Sequence, residues 1–214
     1  MKIALLGGAF DPPHVGHKTV ADLLLINKIV DEVWFVPVFK HPWAARYQKT
    51  QLVAYEKRVA MLTEMIGSAY SQENKSSSSK EITETLNLNQ ANQKKQKVAH
   101  FKSVSFTYDT LEYFSKQHKE HSFSWVMGSE YLDRFDDFLQ GHPQLLKYHF
   151  NIYPRAGHPF VETLKKQNMT FLYDMPEVTA SSTEIKQLLQ EQKPITQLVV
   201  PEVAQYIVKH KLYR

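Results

Sequence analysis

The stretch Gly7-Gly8-Ala9-Phe10-Asp11-Pro12-Pro13-His14-Val15-Gly16-His17 combines residue types that chemistry on anions requires. His14 and His17 stand three apart, so in a first helical turn both imidazoles fall on one face. Gly7 and Gly8 carry no Cβ, which lets backbone N–H groups approach a ligand closely. Pro12 and Pro13 stiffen the turn and deliver the chain into the next helix. Gly16, between the histidines, leaves room for a bulky group. Two imidazole donors beside a helix N-terminus make a clamp for a polyphosphate. A histidine pair alone would as readily cap a helix, and a zinc site would want more ligands nearby. The glycines, prolines and both histidines together, directly after an apolar run, select the phosphate clamp. The stretch is not a Walker loop, since no G-x-x-x-x-G-K-[ST] exists, and not a dinucleotide fingerprint, since G-x-G-x-x-G is missing.

A second candidate is Ala180-Ser181-Ser182-Thr183-Glu184-Ile185-Lys186. Ser181 and Glu184 have capping-box spacing, directly before the apolar Ile185, Leu188 and Leu189. Taken alone, this spacing marks a helix start. A hydroxyl-rich helix N-terminus is also an anion site, and two such termini closing on one polyphosphate make physical sense of the pair.

The elements around these segments follow from hydrophobic pattern. Residues 2–6 form a short apolar run ended by Gly-Gly, a buried strand. Val20, Leu23, Leu24 and Ile26 have helical spacing and predict a helix over 17–30. Residues 33–37 are a second strand, completing a βαβ unit with a right-handed crossover. Further helices are expected at about 50–66, 107–118, 183–190 and 201–210. Further strands are expected at about 99–104, 123–127, 149–153 and 169–173. The alternation predicts an α/β fold: a Rossmann-like doubly wound parallel sheet, helices on both faces, and a small C-terminal helical part over 183–214. In such a sheet ligands bind at the carboxyl ends of the strands, which is where Gly7 and Gly8 stand. Residues 68–97, rich in Ser, Asn, Gln and Lys, read as a flexible insertion within a single 1–214 domain.

Composition narrows the partners. The 214 residues carry 26 basic and 22 acidic side chains, a net charge of +4, and no cysteine. Disulfide and thiolate chemistry are excluded, and a metal would need O or N ligands. The basic balance suits anions, but the charges are scattered and no RNA-binding signature or basic recognition helix is present. No apolar run approaches the ~20 residues that span a bilayer. The apolar stretch after Met1 breaks at glycine too early for a signal peptide. These features predict a cytoplasmic protein that acts on small phosphates, with neither nucleic acid nor membrane as partner. A homo-oligomer is compatible with them.

The segment GGAFDPPHVGH resembles the signature of the nucleotidyltransferase superfamily, with its H-x-G-H core, and specifically that of bacterial nicotinate-nucleotide adenylyltransferases. The second segment resembles the superfamily's I-S-S-T-x-I-R, with Lys186 in place of Arg; lysine keeps the charge but lacks the bidentate fork. Ser105-Phe106-Thr107-Tyr108-Asp109-Thr110-Leu111 is similar to the family's S-Y-T-x-D-T-L beside the pyridine nucleotide, though Thr107 or Asp109 would equally serve as a helix cap. Gly128-Ser129-Glu130 stands where the family has G-x-D, Glu130 being one methylene longer. Phe138 falls where relatives stack a Trp on the pyridine ring, a position an ordinary core aromatic would also fill. Arg155 matches a family Arg near the nucleotide. Val36–Trp43 replaces a P-P-H-K pattern, which leaves Lys40 and Trp43 as candidate substrate contacts. Arg46 and Arg58 could meet a phosphate or simply face solvent. The segment 198–207 resembles the family's closing helix, with a structural role.

The resemblance implies transfer of AMP from ATP to nicotinate mononucleotide, giving deamido-NAD and pyrophosphate, with Mg2+ accompanying ATP and no metal ligand assigned to the protein. His14 and His17 would be catalytic. ATP contacts would come from Gly7, Gly8, Ala9, Phe10, Gly16, Gly128, Glu130, Ser181, Ser182, Thr183 and Lys186. The acceptor would meet Lys40, Thr107, Tyr108, Phe138 and Arg155. Nicotinamide mononucleotide or another small phosphate as acceptor, and a non-catalytic nucleotide-binding relative, are the alternatives.

Overall fold

The computed structural model describes residues 1–40, 52–68, 93–103 and 106–214. Its centre is a six-stranded sheet: β1 (Lys2–Gly8), β2 (Glu32–Pro37), β3 (Gln96–Val98), β4 (Ser122–Gly128), β5 (His149–Tyr153) and β6 (Met169–Phe171). The spatial order is β3-β2-β1-β4-β5-β6, and every pairing is parallel. This is the doubly wound order, and the direction of winding reverses between β1 and β4. The Rossmann-like α/β architecture expected from the sequence is therefore the one observed.

The helices are α1 (Val15–Ile26), α2 (Tyr55–Gly67), α3 (Thr107–Gln117), α4 (Phe135–Gly141), α5 (Ser182–Gln190) and α6 (Pro201–Lys209). Strand side chains alternate between two cores, as period two requires. Ala4, Leu6, Val33 and Phe35 join one core with Leu24, Met61, Ile185, Val203 and Ile207. Ile3, Leu5, Trp34 and Val36 join the other with Leu111, Phe114 and Phe135. Helices α1, α2, α5 and α6 thus cover one face and α3 and α4 the other. The residues after 183 are no appendix, because Val199, Val203 and Ile207 are at most 2% exposed within the first core. The Leu198 carbonyl accepts the Val15 N–H at 2.9 Å, satisfying a first-turn donor of α1 that has no intrahelical partner.

Several boundaries differ from the expectation. Helix α1 stops at Ile26, where Lys28 takes φ +53° and turns the chain. The third strand is Gln96–Val98 rather than 99–104, so the expected insertion over 68–97 loses both margins to ordered structure. Ser68 is buried, and its carbonyl accepts from Gln93 Nε2 at 2.9 Å. Residues 69–92, the rest of that stretch, lie outside the described residues. Polar side chains hide β3 from a hydrophobicity pattern: Gln96 Nε2 donates to Asp22 at 2.6 Å, and Lys97 pairs with Glu32 at 3.3 Å while lying 3.8 Å from the Trp34 ring centroid.

Candidate active site

Strand β1 ends in Gly7-Gly8 beside Val36-Pro37 of β2, and the Val38 N–H donates to the Gly8 carbonyl at 2.9 Å. The loop that follows is held from behind by Arg58 of α2. Expected as a phosphate contact or a solvated side chain, Arg58 is instead 1% exposed. It donates to the carbonyls of Ala9 (2.6 Å), Val38 (2.7 Å) and Val53 (2.8 Å). Its planar fork suits this three-way tie, and burial lowers its pKa without discharging it. Phe10 takes φ +49°, a conformation costing a residue with a Cβ about 1–3 kcal/mol. That conformation buries its ring edge-on against His17, 4.8 Å between centroids.

His14 and His17 come together as expected, their rings stacked 3.7 Å apart at the start of α1. The backbone N–H of His14 donates to Nδ1 of His17 at 3.2 Å. Nδ1 must then be the unprotonated nitrogen, so the neutral His17 ring carries its hydrogen on Nε2 as a donor. Burial, aided by the charge of Arg155, pushes the His14 pKa down to about 3. Burial, then His14 and Arg155, lowers that of His17 as well. Both rings are therefore neutral near pH 7. Nδ1 of His14 is buried and, among the described residues, has no well-aligned hydrogen-bond partner, a cost that a bound polar group would remove.

The glycines serve the protein's own packing more than expected. A Cβ on Gly7 would collide with the Trp125 ring. On Gly16 it would lie 2.5 Å from Val178 Cγ1 and 3.1 Å from His14 Nδ1. The room foreseen at Gly16 for a bulky ligand group is thus filled by Val178, which brings the approach to α5 onto α1.

Arg155, just after β5, ties three parts of the site together. Its Nη1 donates to the carbonyls of Val178 (3.1 Å) and Ala180 (2.8 Å), and its Nε lies 4.0 Å from Glu130 Oε1. Its backbone N–H donates to Ser129 Oγ at 2.9 Å. Glu130 follows Gly128 in a 3₁₀ turn, Ser129–Arg134, and its Oε2 is buried without a hydrogen-bond partner among the described residues. Two unsatisfied polar atoms, on His14 and Glu130, thus border the switch point between β1 and β4.

In the second segment, Ser181 caps α5 by accepting the Glu184 N–H at 3.1 Å. Ser182 Oγ donates to the Pro12 carbonyl at 2.8 Å, joining this segment to the first. Thr183 is exposed. Lys186 is 2.6 Å from Asp11 Oδ2, an ion pair that sequence reasoning did not foresee. Asp11 is 1% exposed, and Oδ1 also accepts from Tyr213 at 2.7 Å. No spacing in the sequence signals this contact, because Asp11 and Tyr213 are 202 positions apart.

The acceptor candidates are less closely gathered. Tyr108 stacks on His142 at the end of α4, with centroids 5.5 Å apart, while its hydroxyl donates to Glu112. Thr107 opens α3, and Asp109 accepts the Phe106 N–H at 2.8 Å, the capping role weighed for it. Phe138, on α4, is 38% exposed and meets Tyr131 edge-on, so it is not the core aromatic that was the other option. Lys40 is exposed beyond β2, its ammonium 6.0 Å from the Phe39 ring. Trp43, Arg46 and Ser105 lie outside the described residues. Among the described residues no helix is long and apolar enough to cross a membrane.

Comparison with known proteins places the whole chain in a family. The model of the cytidylyltransferase-like family matches residues 5–188. A "probable nicotinate-nucleotide adenylyltransferase" from Bacillus pumilus is 30% identical, the alignment covering 99% of this chain and 98% of the relative. One of the same name from Cytophaga hutchinsonii is 29% identical over 100% and 98%. The solved Plasmodium falciparum nicotinic acid mononucleotide adenylyltransferase complexed with NaAD superimposes with a TM-score of 0.74 over 99% of this chain and 97% of that one, at 22% identity, and so shares the fold. With the family model spanning residues 5–188 and a 30% identical relative aligned over 99% of the chain, the chain belongs to the cytidylyltransferase-like family and, within it, to the nicotinate-nucleotide adenylyltransferases.

Proposed function

We propose that this protein transfers the AMP moiety of ATP to nicotinate mononucleotide, forming deamido-NAD and pyrophosphate. The observation that carries the mechanism is the stacked, neutral histidine pair beside the switch point, His14 buried and His17 partly buried, with Nε2–H of His17 as a fixed donor. The acceptor's 5′-phosphate oxygen attacks the α-phosphorus in line, and the bond to the bridging oxygen of pyrophosphate breaks. The attacking phosphate is already anionic, so no general base and no covalent intermediate is needed. Catalysis is then positioning plus donors aimed at the charge that develops on the phosphates.

His14 and His17 hold the β and γ phosphates from one side. The first turn of α5, with Ser182, Thr183 and Lys186, closes from the other. Because Ser181 and Ser182 already bond within the protein, backbone N–H groups and Lys186 carry most of that contact. Arg155 supports both sides through the 178–180 carbonyls, and Glu130 Oε2 offers an acceptor to a hydroxyl of the nucleotide. Thr107, the Tyr108 ring, Phe138 and Lys40 form the proposed acceptor side.

Mg2+ enters as part of the MgATP substrate, neutralising phosphate oxygens. In this reading the ion is carried by the phosphates of ATP rather than by a dedicated protein site. A cytoplasmic location, where both nucleotides are met, belongs to the same proposal.

His17→Ala tests the mechanism. Losing a donor to transition-state charge costs on the order of 3 kcal/mol, about 100-fold in rate. Steady-state pyrophosphate release should show kcat down by about that factor with the KM for nicotinate mononucleotide little changed. Near-normal turnover would contradict the mechanism.

A further inference from the structure

Asp11 lies within the first signature segment, and its carboxylate collects three partners from three remote parts of the chain. Oδ2 meets Lys186 Nζ of α5 at 2.6 Å. Oδ1 accepts the Tyr213 hydroxyl at 2.7 Å and the Val53 N–H at 3.3 Å. The carboxylate is buried, whereas the Lys186 side chain keeps 26% of its surface exposed. The segment after α6 is shaped to deliver the phenol. Lys211 and Tyr213 both take positive φ, +52° and +62°, on either side of buried Leu212. Residues with a Cβ keep that conformation only where their surroundings impose it. Burial, and then the charge of Asp11, raises the Tyr213 pKa, so the hydroxyl stays protonated and donates.

We propose that Tyr213 is a positioning residue for adenylyl transfer, its hydroxyl fixing the Asp11 carboxylate that aims Lys186 at the phosphates of ATP. This rests on the role given to Lys186 above. An ammonium on four methylenes is a mobile point charge without the rigid fork of arginine. Of its three N–H donors, one is spent on Asp11, and among the described residues the other two have no hydrogen-bond acceptor and can turn to phosphate oxygens. With Oδ1 held by Tyr213 and Val53, Oδ2 stays in one place and the ammonium with it. The anchored pair thereby supplies the preorganisation that lysine alone lacks.

The test is a double-mutant cycle between Tyr213→Phe and Lys186→Ala in the full-length protein, read by calorimetric binding of a non-hydrolysable ATP analogue and by steady-state kinetics. Tyr213→Phe keeps the ring, whose centroid lies 5.8 Å from Lys186 Nζ, and removes only the hydroxyl. The expected result is about tenfold weaker binding of the analogue and a higher KM for MgATP, with an unchanged KM for nicotinate mononucleotide. In the Lys186→Ala background the same substitution should add nothing. Unaltered analogue binding in Tyr213→Phe would overturn the proposal. So would an equal loss with and without Lys186, or a loss explained by a lowered melting temperature. The binding arm is independent of turnover. Coupling in a protein that turns over no acceptor would leave the role of Tyr213 intact while removing the proposed reaction.

Discussion

A backbone N–H that donates to Nδ1 of His17 decides at once which nitrogen of that ring can serve a ligand. Burial decides its charge, and the two together make a donor that does not titrate near neutrality. The same burial has a consequence for stability. The folded His14 pKa is about 3 against an ordinary value of 6.5, so between those values the unfolded chain binds the extra proton. Stability contributed by the neutral ring is present above about pH 6.5 and is lost as pH falls towards 3. His17, lowered for the same reason, adds to the slope, each ring contributing up to about 1.4 kcal/mol per pH unit. Urea unfolding from pH 7 to pH 4 should therefore show a steep decline that His14→Asn makes shallower. An unchanged slope in that variant would mean the ring is not held neutral by the fold. The pair itself was legible from its spacing. Its tautomer and the Arg155 charge beside it were not, because both depend on contacts made only in the fold.

At the scale of elements, the site is an assembly of strand ends and helix starts that one side chain could pry apart. Val178 packs against Gly16 so closely that a Cβ there would lie 2.5 Å from Cγ1. Gly16→Ala should push the 178–180 segment away from α1, costing about 1–3 kcal/mol, and Val178→Ala should restore part of that loss. Additive losses in denaturant unfolding of the double variant would show that the two residues do not meet. The strongly apolar strands were readable from pattern, β1, β2, β4 and β5 to within about two residues, because both their faces are buried. Helix α4 and the 3₁₀ turns around it were missed, being short and without sustained periodicity. Arg58 was misjudged for a different reason. A buried guanidinium that ties three carbonyls together leaves no trace in local sequence, and Tyr213 is hidden in the same way.

At the scale of the whole molecule, the 3-2-1-4-5-6 order sets the two signature segments side by side although they stand about 170 residues apart in sequence. The crossover from β3 to β4 places Gly128 and Glu130 next to the end of β1, and the run from β6 through α5 carries Ser182 back to Pro12. The fold class was legible because alternating strand and helix patterns permit few arrangements. The acceptor side was less so, since Thr107, Tyr108, Phe138 and Lys40 come from three elements and depend on how those elements pack. The central claim is the identity of the reaction, and its most direct test is product formation from MgATP against nicotinate mononucleotide, nicotinamide mononucleotide and phosphopantetheine in parallel. The account predicts pyrophosphate and deamido-NAD in equal amounts with nicotinate mononucleotide, and far less turnover with the other two. Retained ATP binding with no pyrophosphate from any of the three would contradict it.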